Sequence, residues 1–532
     1  PFAATCSFAL LAASLALQPS PVAAKASSKK KRRRKKTEKN GDGLSSRGVR
    51  MTRPALPYMG GVLEGFSEPY DAATGKGVIL LAVAENKLCW SRLKPRVEAA
   101  LRSVPDWTAN YGPMDGRPPL KQALARFIDR RIVRDDRPRV KEDHVSCAAG
   151  AAACLNNLFL SICEAGDAVL IPAPYYAAFD ADLGAICDLR RVPVRLRKGD
   201  FALTRSSLDA AYDAAGGARA LLLTNPHNPT GRVWRRHEME TVAKACAERN
   251  VILASDEVWS GLILDDVPFT PAGLLQVDGL RLISITSASK TYNVAGLDVA
   301  FAVVPDDALR RRYFKVGRDQ AEPTHAGLAA LAAILDATGG SPCVLTPPNG
   351  ACDGWRRAMV EHLRANRDAA IAFIERECGD LVTVAAPAES TYLLWLDARK
   401  LGASPGLFLS QRGVYLTDGA AFGARGYVRL NFCCSRETLD VGLERIGAAC
   451  AEAMSNVVNY FFTHPPMASR GRGAPLALLS GRTQFSLRED ARFRTRAARS
   501  VPSPRASSRP RGDCRAWQRR LCIDPMRQST SS

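Results

Sequence analysis

Cysteine is scarce for a chain of this length, 15 in 532 residues, and there is no C-x-x-C pair and no Cys/His cluster at zinc spacing. That excludes a fold stapled by disulfides or built on structural zinc, so no metal is expected. The thiols, including the adjacent Cys433 and Cys434, are expected to be reduced and buried, as in a reducing compartment. The apolar run from Phe8 to Leu17, followed by small residues to Ala26, is too short to span a bilayer and has the character of a signal or transit segment. No membrane partner is expected. An excess of one charge is missing where it would matter. The net charge is +21, yet residues 1–50 hold 12 Lys+Arg against 2 Asp+Glu and residues 465–532 hold 15 against 4, which leaves 47 of each sign between them. The central part is neutral and lacks the signature of a nucleic-acid binder. The run Lys29 to Lys36 reads as an import signal, a nucleic-acid contact or a solvated linker. From His464 onward Arg, Ser and Pro dominate without apolar periodicity, which predicts disorder, and the tripeptide Arg511-Gly512-Asp513 there carries almost no information.

What is present is a globular composition, 46% hydrophobic and 24% charged, which rules out collagen-like and wholly disordered chains. Short continuous apolar runs recur at 169–171, 221–223, 251–254, 282–285 and 299–304. Continuous apolarity predicts strands covered on both faces, as in the parallel sheet of an α/β domain. Between two of them, Trp234 to Asn250 places Met239, Val242, Ala243 and Cys246 on one helical face. Leu120, Ala123, Leu124, Phe127 and Ile128 repeat that spacing after Pro118-Pro119, where proline suits a helix start. A second αβ region follows, with a helix over 355–378 and strands over 392–396 and 427–432. The Gly-, Pro- and Cys-rich stretch 337–354 reads as a surface loop.

Polar residues follow three of the runs at once: Asn225 to Gly231, then Ser255-Asp256-Glu257, then Ser287-Ala288-Ser289-Lys290. In open α/β sheets that edge holds the ligand. A lysine there is partly desolvated, which favours the neutral amine that Schiff-base chemistry requires.

The motifs HNPTG at 227–231, SDE at 255–257 and SxSK at 287–290 resemble those of the class I/II, fold-type I aminotransferases, with 28 residues between Asn228 and Asp256 and 34 between Asp256 and Lys290. The resemblance covers about residues 55–455 and implies an α/β fold: a large domain with a mostly parallel sheet flanked by helices, and a smaller α/β domain. It divides the chain into a targeting-like basic segment (1–50), an N-terminal arm with the large cofactor domain (51–320), a small domain (321–455) and a disordered tail (464–532). It implies the cofactor pyridoxal 5'-phosphate, amino-acid and keto-acid substrates, and a homodimer with shared active sites. Lys290 then carries the cofactor and moves the substrate α-proton. Asp256 pairs with the protonated pyridine nitrogen, Asn228 donates to the ring 3-oxygen, and Tyr176 stacks on the ring. Amides at Ala151 and Ala152, the Ser287 hydroxyl and Tyr111 from the neighbouring subunit hold the phosphate. Arg429 clamps the substrate carboxylate, and Glu85 lies on the substrate side.

Two positions depart from the family pattern. Asp298 stands where an arginine commonly meets the phosphate, and Trp259 stands where a tyrosine commonly bonds the 3-oxygen. An indole offers only its N–H. The segments EPYD (68–71), LAVAENKL (81–88) and PYYAAFDADL (174–183) resemble aminocyclopropane-carboxylate synthases and their aminotransferase relatives. SKTYNVAGL (289–297), LRANRDAAIAFIE (363–375), STYLLWLD (390–397) and FGARGYVRLNFCCSR (422–436) resemble carbon-sulfur β-lyases of the cystathionine lyase type. The first chemical steps are common to all three groups, so transamination, β-elimination and ring closure all stay open. A non-enzymatic scaffold whose basic ends bind nucleic acid is the reading from another class.

Overall fold

The computed structural model describes residues 66–463 except 87, 89, 105, 111, 114–115, 117, 119, 123, 126–139, 321 and 336–350, and also 45, 48 and 49. The run Phe8 to Leu17, the basic run Lys29 to Lys36, Tyr111, most of the helix expected after Pro119 and the chain from His464 lie outside the described residues. The chain forms two units, Pro1–Arg50 and Met51–Ser532. In the first, the Gly48 amide donates to Ser45 Oγ at 3.0 Å. All that follows concerns the second.

Its centre is a seven-stranded sheet. The strands are β1 (Ile79–Leu80), β2 (Val145–Ala148), β3 (Ala168–Ala173), β4 (Arg190–Arg195), β5 (Ala220–Thr224), β6 (Ile252–Asp256), β7 (Leu282–Thr286) and β8 (Ala300–Val303), and all but β1 belong to this sheet, in the order β2-β8-β7-β6-β5-β3-β4. Neighbours from β4 to β7 run parallel. β8 runs antiparallel to both β7 and β2. Its apolar run alone predicts a parallel strand, but the pattern registers only burial of both faces, which is the same in either direction. Every residue of β5, β6 and β7 is buried. Each leucine of Leu221-Leu222-Leu223 so covered contributes about 1.5–3 kcal/mol.

Helices cover both faces. On one, α2 (Gly150–Ile162; α1 is Trp90–Arg102) sets Cys154, Leu158 and Phe159 against Ile171, Ala254 and Ile283. On the other, α3 (Arg205–Ala215) and α4 (Arg236–Glu248) set Leu208, Met239 and Val242 against Leu221 and Leu253. The α4 stripe is the one expected from periodicity. Lys290 lies in the single turn α5 (Ser289–Tyr292), and α6 (Asp307–Gln320) follows β8.

A second, antiparallel sheet has the order β12-β13-β10-β9, with β9 (Thr383–Val384), β10 (Leu393–Asp397), β12 (Thr417–Asp418) and β13 (Tyr427–Asn431). It is preceded by α7 (Ala351–Glu377) and followed by α8 (Arg436–Thr463). α7 takes in residues 351–354, the end of the stretch expected to be a loop. Helix formation there runs through Gly354, whose entropic cost of about 1 kcal/mol is small beside the rest of a 27-residue helix. β1 pairs in parallel with β11 (Val414–Tyr415), so residues near 80 are built into the C-terminal part of the fold. Among the described residues, no helix is long and apolar enough to cross a membrane.

Candidate active site

Four adjacent parallel strands, β3, β5, β6 and β7, deliver Tyr176, Asn228, Asp256 and Lys290 at their carboxyl ends. The local sequence fixes each one. After β5, the His227 imidazole Nδ1 pairs with Thr230 Oγ1 at 2.8 Å, and the Gly231 amide donates to the His227 carbonyl at 2.8 Å. Burial and the nearby Arg232 push His227 down to about 3, so it stays neutral and is not an acid–base group. Gly231 has φ +68 and a Cβ there would lie 3.1 Å from the Ser390 carbonyl, so glycine is required where this loop meets the second sheet. Asp256 ends β6, and Asn225 donates its amide to the Asp256 carbonyl at 2.8 Å, which ties the two loops together.

Burial sets the electrostatics of the site. The Asp256 carboxyl is buried and, among the described residues, accepts from the Val258 amide at 3.3 Å. Burial pushes it up to about 6, with the nearby carboxylate of Asp182 adding to the rise and Lys290 opposing it. Asp182, a buried residue absent from the sequence expectations, is itself pushed up to about 6 by burial. Lys290 is held below the ordinary lysine value, first by burial and then by Arg429, while Glu85 and Asp256 pull the other way. An amine whose charged form is disfavoured in this way is suited to nucleophilic and base chemistry. Its Nζ donates to the Ala84 carbonyl at 3.2 Å and lies 5.9 Å from the Trp259 ring centre.

Arg429 on β13 is 2% exposed and reaches the same cleft from the second sheet. Nη1 donates to Asn228 Oδ1 at 3.0 Å, and Nη2 donates to the Ala82 carbonyl at 3.0 Å and to Thr417 Oγ1 at 3.3 Å. With Oδ1 of Asn228 turned to the guanidinium, its Nδ2 is the face left for an acceptor. Residues 82–85 form a strap in which each carbonyl is taken by side chains from one or both sheets. Ala82 accepts from Arg429 and Thr417, Val83 and Glu85 accept from Asn431 Nδ2 at 2.6 and 3.0 Å, and Ala84 accepts from Lys290 and Tyr392. Asn86 anchors the end of the strap, its amide donating to Asn293 Oδ1 at 3.0 Å. Thr417, Asn431 and Tyr392 were not legible as site residues, although Tyr392 stands within the STYLLWLD segment.

The remaining expectations fall out unevenly. Tyr176 is half-buried with its ring edge-on to Phe179 at 5.4 Å, and Trp259 packs edge-on to Tyr392 at 4.8 Å. Ala151 and Ala152 lie in the first turn of α2, which has no side-chain cap, so its leading amides are donors of the kind an anion takes. Ser287 ties its own turn to the sheet. Its hydroxyl donates to the Val299 carbonyl at 2.8 Å and accepts from the Ser289 amide at 3.1 Å, binding the Lys290 turn to the start of β8. Tyr111 is outside the described residues. Asp298 does face the α2 terminus: a Cβ on Gly150 would lie 2.7 Å from its Oδ1.

The sequence pattern of the family described as aminotransferase class I and II matches residues 76–446, and the chain belongs to that family. It is therefore a pyridoxal-phosphate-dependent enzyme of fold type I. It is similar to a cystathionine beta-lyase of Corynebacterium glutamicum, 30% identical over 341 residues that cover 63% of this chain and 85% of that protein. The 1-aminocyclopropane-1-carboxylate synthase 5 of Oryza sativa subsp. japonica is 28% identical over 443 residues, 73% of this chain and 76% of that one. Among solved structures, N-succinyldiaminopimelate aminotransferase from Mycobacterium tuberculosis superposes with a TM-score of 0.60 at 25% identity, over 70% of this chain and 93% of that one. The donor set fits the cofactor: a buried carboxylate, a lysine whose charged form burial disfavours and, among the described residues, a helix start without a side-chain cap.

Asp298 is the one element set against it. A carboxylate at a helix N-terminus would compete with a phosphate for the same amides. Asp298→Arg is expected to tighten pyridoxal phosphate at least about tenfold, about 1.4 kcal/mol. Asp298 sits at φ +53, a conformation aspartate tolerates better than arginine, so Asp298→Asn isolates the charge and should tighten it less. Cofactor dissociation at fixed salt reads both. Equal affinities in all three proteins would mean that position 298 does not act on the phosphate.

Proposed function

We propose that the chain transfers the α-amino group of an amino acid to a keto acid, with Lys290, Asp256, Asn228 and Arg429 as the working set. The observation that carries it is the Arg429–Asn228 hydrogen bond, which joins the carboxylate-binding group to the ring-binding group across the two sheets. Bound pyridoxal phosphate supplies the electron sink that acidifies the substrate α-proton. Asp256 would hold a proton on the ring nitrogen, and Asn228 Nδ2 would serve the ring 3-oxygen. Tyr176 would pack on the ring, and the amides of Ala151 and Ala152 would hold the phosphate. Arg429 exchanges its protein acceptors for the substrate carboxylate, whose two oxygens match its planar fork. Lys290 Nζ would then take the α-proton, acting as the base, and hold it for return. Glu85, whose carboxylate favours the charged form of Lys290, borders the substrate side.

The reading includes a homodimer in which Tyr111 of one subunit reaches the phosphate of the other. Exposed Trp90, Leu101 and Val104, on and beside α1, are suited to such a contact. The likeness to the Corynebacterium lyase supports a second reading, β-elimination from a sulfur amino acid. The deciding experiment incubates the cofactor-loaded protein with a panel of amino acids and keto acids. A new amino acid supports transfer, pyruvate with a thiol from cystathionine supports the lyase, and aminocyclopropane-carboxylate from S-adenosylmethionine supports ring closure. No turnover with any pair would overturn the proposal.

A further inference from the structure

Lys290 and Tyr392 share one oxygen. The Ala84 carbonyl accepts from Lys290 Nζ at 3.2 Å and from the Tyr392 hydroxyl at 3.1 Å, and these are the two donors that reach it among the described residues. Tyr392 is buried, and its ring stands edge-on to Trp259, over which the Lys290 amine also sits. The amine, the indole and the phenol thus form one packed group, assembled from β6, β7 and the second sheet.

We propose that Tyr392 is the positioning residue of Lys290, holding the Ala84 carbonyl so that the lysine can leave it. A lysine that serves in turn as attachment point and base must give up its parked hydrogen bond. Were it the sole donor, its departure would leave a half-buried carbonyl without a protein partner, a penalty that keeps the ammonium in place. A second donor on the same oxygen removes that penalty, and by drawing on the oxygen's lone pairs it weakens the carbonyl's hold on the charged amine. Trp259 has no hydroxyl to do this, so the only phenol in the group is the one at 392. The inference rests on the reading of Lys290 as the reactive amine.

The test follows the amine itself. The full-length chain, freed of cofactor, is trace-labelled with acetic anhydride across a pH series, and the Lys290 peptide is quantified by mass spectrometry. With the Tyr392 hydroxyl gone in Tyr392→Phe, Ala84 serves the ammonium alone, so the Lys290 midpoint should move to higher pH and its labelling rate near neutrality should fall about threefold or more. The other charges facing the amine are Arg429 from β13, Glu85 from the strap and Asp256 from β6, and all remain in the variant. A residue that merely fills space would leave this profile unmoved. Monofluorotyrosine placed at 392 keeps the ring and strengthens the donor, so below the phenol's own ionisation it should move the midpoint to lower pH. It also serves if Tyr392→Phe does not fold. Superimposable profiles, or shifts of the opposite sign, overturn the proposal. Failure of the functional reading would show separately, as wild-type protein that gains no visible absorption with pyridoxal phosphate.

Discussion

Lys290→Ala is expected to abolish covalent retention of pyridoxal phosphate and to lower turnover at least about 10²- to 10⁴-fold, the range that one positioned base supplies. Borohydride reduction followed by peptide mapping should place the cofactor on residue 290 in the wild type and on no residue in the variant. The fold should survive. The amine is half-buried, it donates to the Ala84 carbonyl, and Tyr392 still satisfies that oxygen after truncation. Thermal unfolding of the two cofactor-free proteins should therefore lie within a few degrees. A variant that keeps both its adduct and its turnover would move the reactive amine elsewhere and remove the basis of the functional reading.

Asp256→Asn is expected to cost about 10²- to 10³-fold in turnover, because an amide does not hold a proton on the ring nitrogen as a carboxylate does. It should also change how the cofactor-free protein responds to pH. Asp256 is pushed up to about 6 by burial, above its unfolded value. The folded state therefore binds the proton more tightly, and the associated stability is complete below about pH 4 and is lost as pH rises through about 6. The span corresponds to about 3 kcal/mol. Asp182, also pushed up to about 6, adds a similar loss over the same window. His227, pushed down to about 3, contributes the opposite slope in both proteins, so the reading is the difference: between pH 4 and 7 the change in stability of the Asn variant should be more favourable than that of the wild type by about 3 kcal/mol, as measured by denaturant unfolding. Equal slopes in the two proteins would show that Asp256 ionises freely without its cofactor.

Which parts of this were legible follows from how each residue gets its partners. β3, β5, β6 and β7 could be read because burial on both faces writes itself as unbroken apolar runs. β4, with the sequence RRVPVR, could not: it is an edge strand, where arginines protect the open side and break the pattern. β1 is two residues long and is recognisable only by its pairing with Val414 and Tyr415. Asp256 ends a strand, and Asn228 and Lys290 lie four residues beyond one, so strand ends located them. Tyr392, Thr417 and Asn431 act on carbonyls more than 300 positions away in the chain, a relation that no local pattern encodes. Ser287 shows the converse. Its position in the motif was plain, but its present partner, the Val299 carbonyl, depends on how β8 returns beside β7.

The strap at 82–85 also dictates a timetable. Thr417, which binds Ala82, lies 335 positions downstream. At the ribosome's pace of about 5–20 residues per second, these early residues wait on the order of 20–70 s before the side chains that seat them are made. Until then the cleft lacks one wall and the lysine lacks its resting place. A chain stopped short of β13 would accordingly hold a nearly finished seven-stranded sheet and no working centre, and a nascent protein stalled there would be a client for chaperones rather than a partial enzyme.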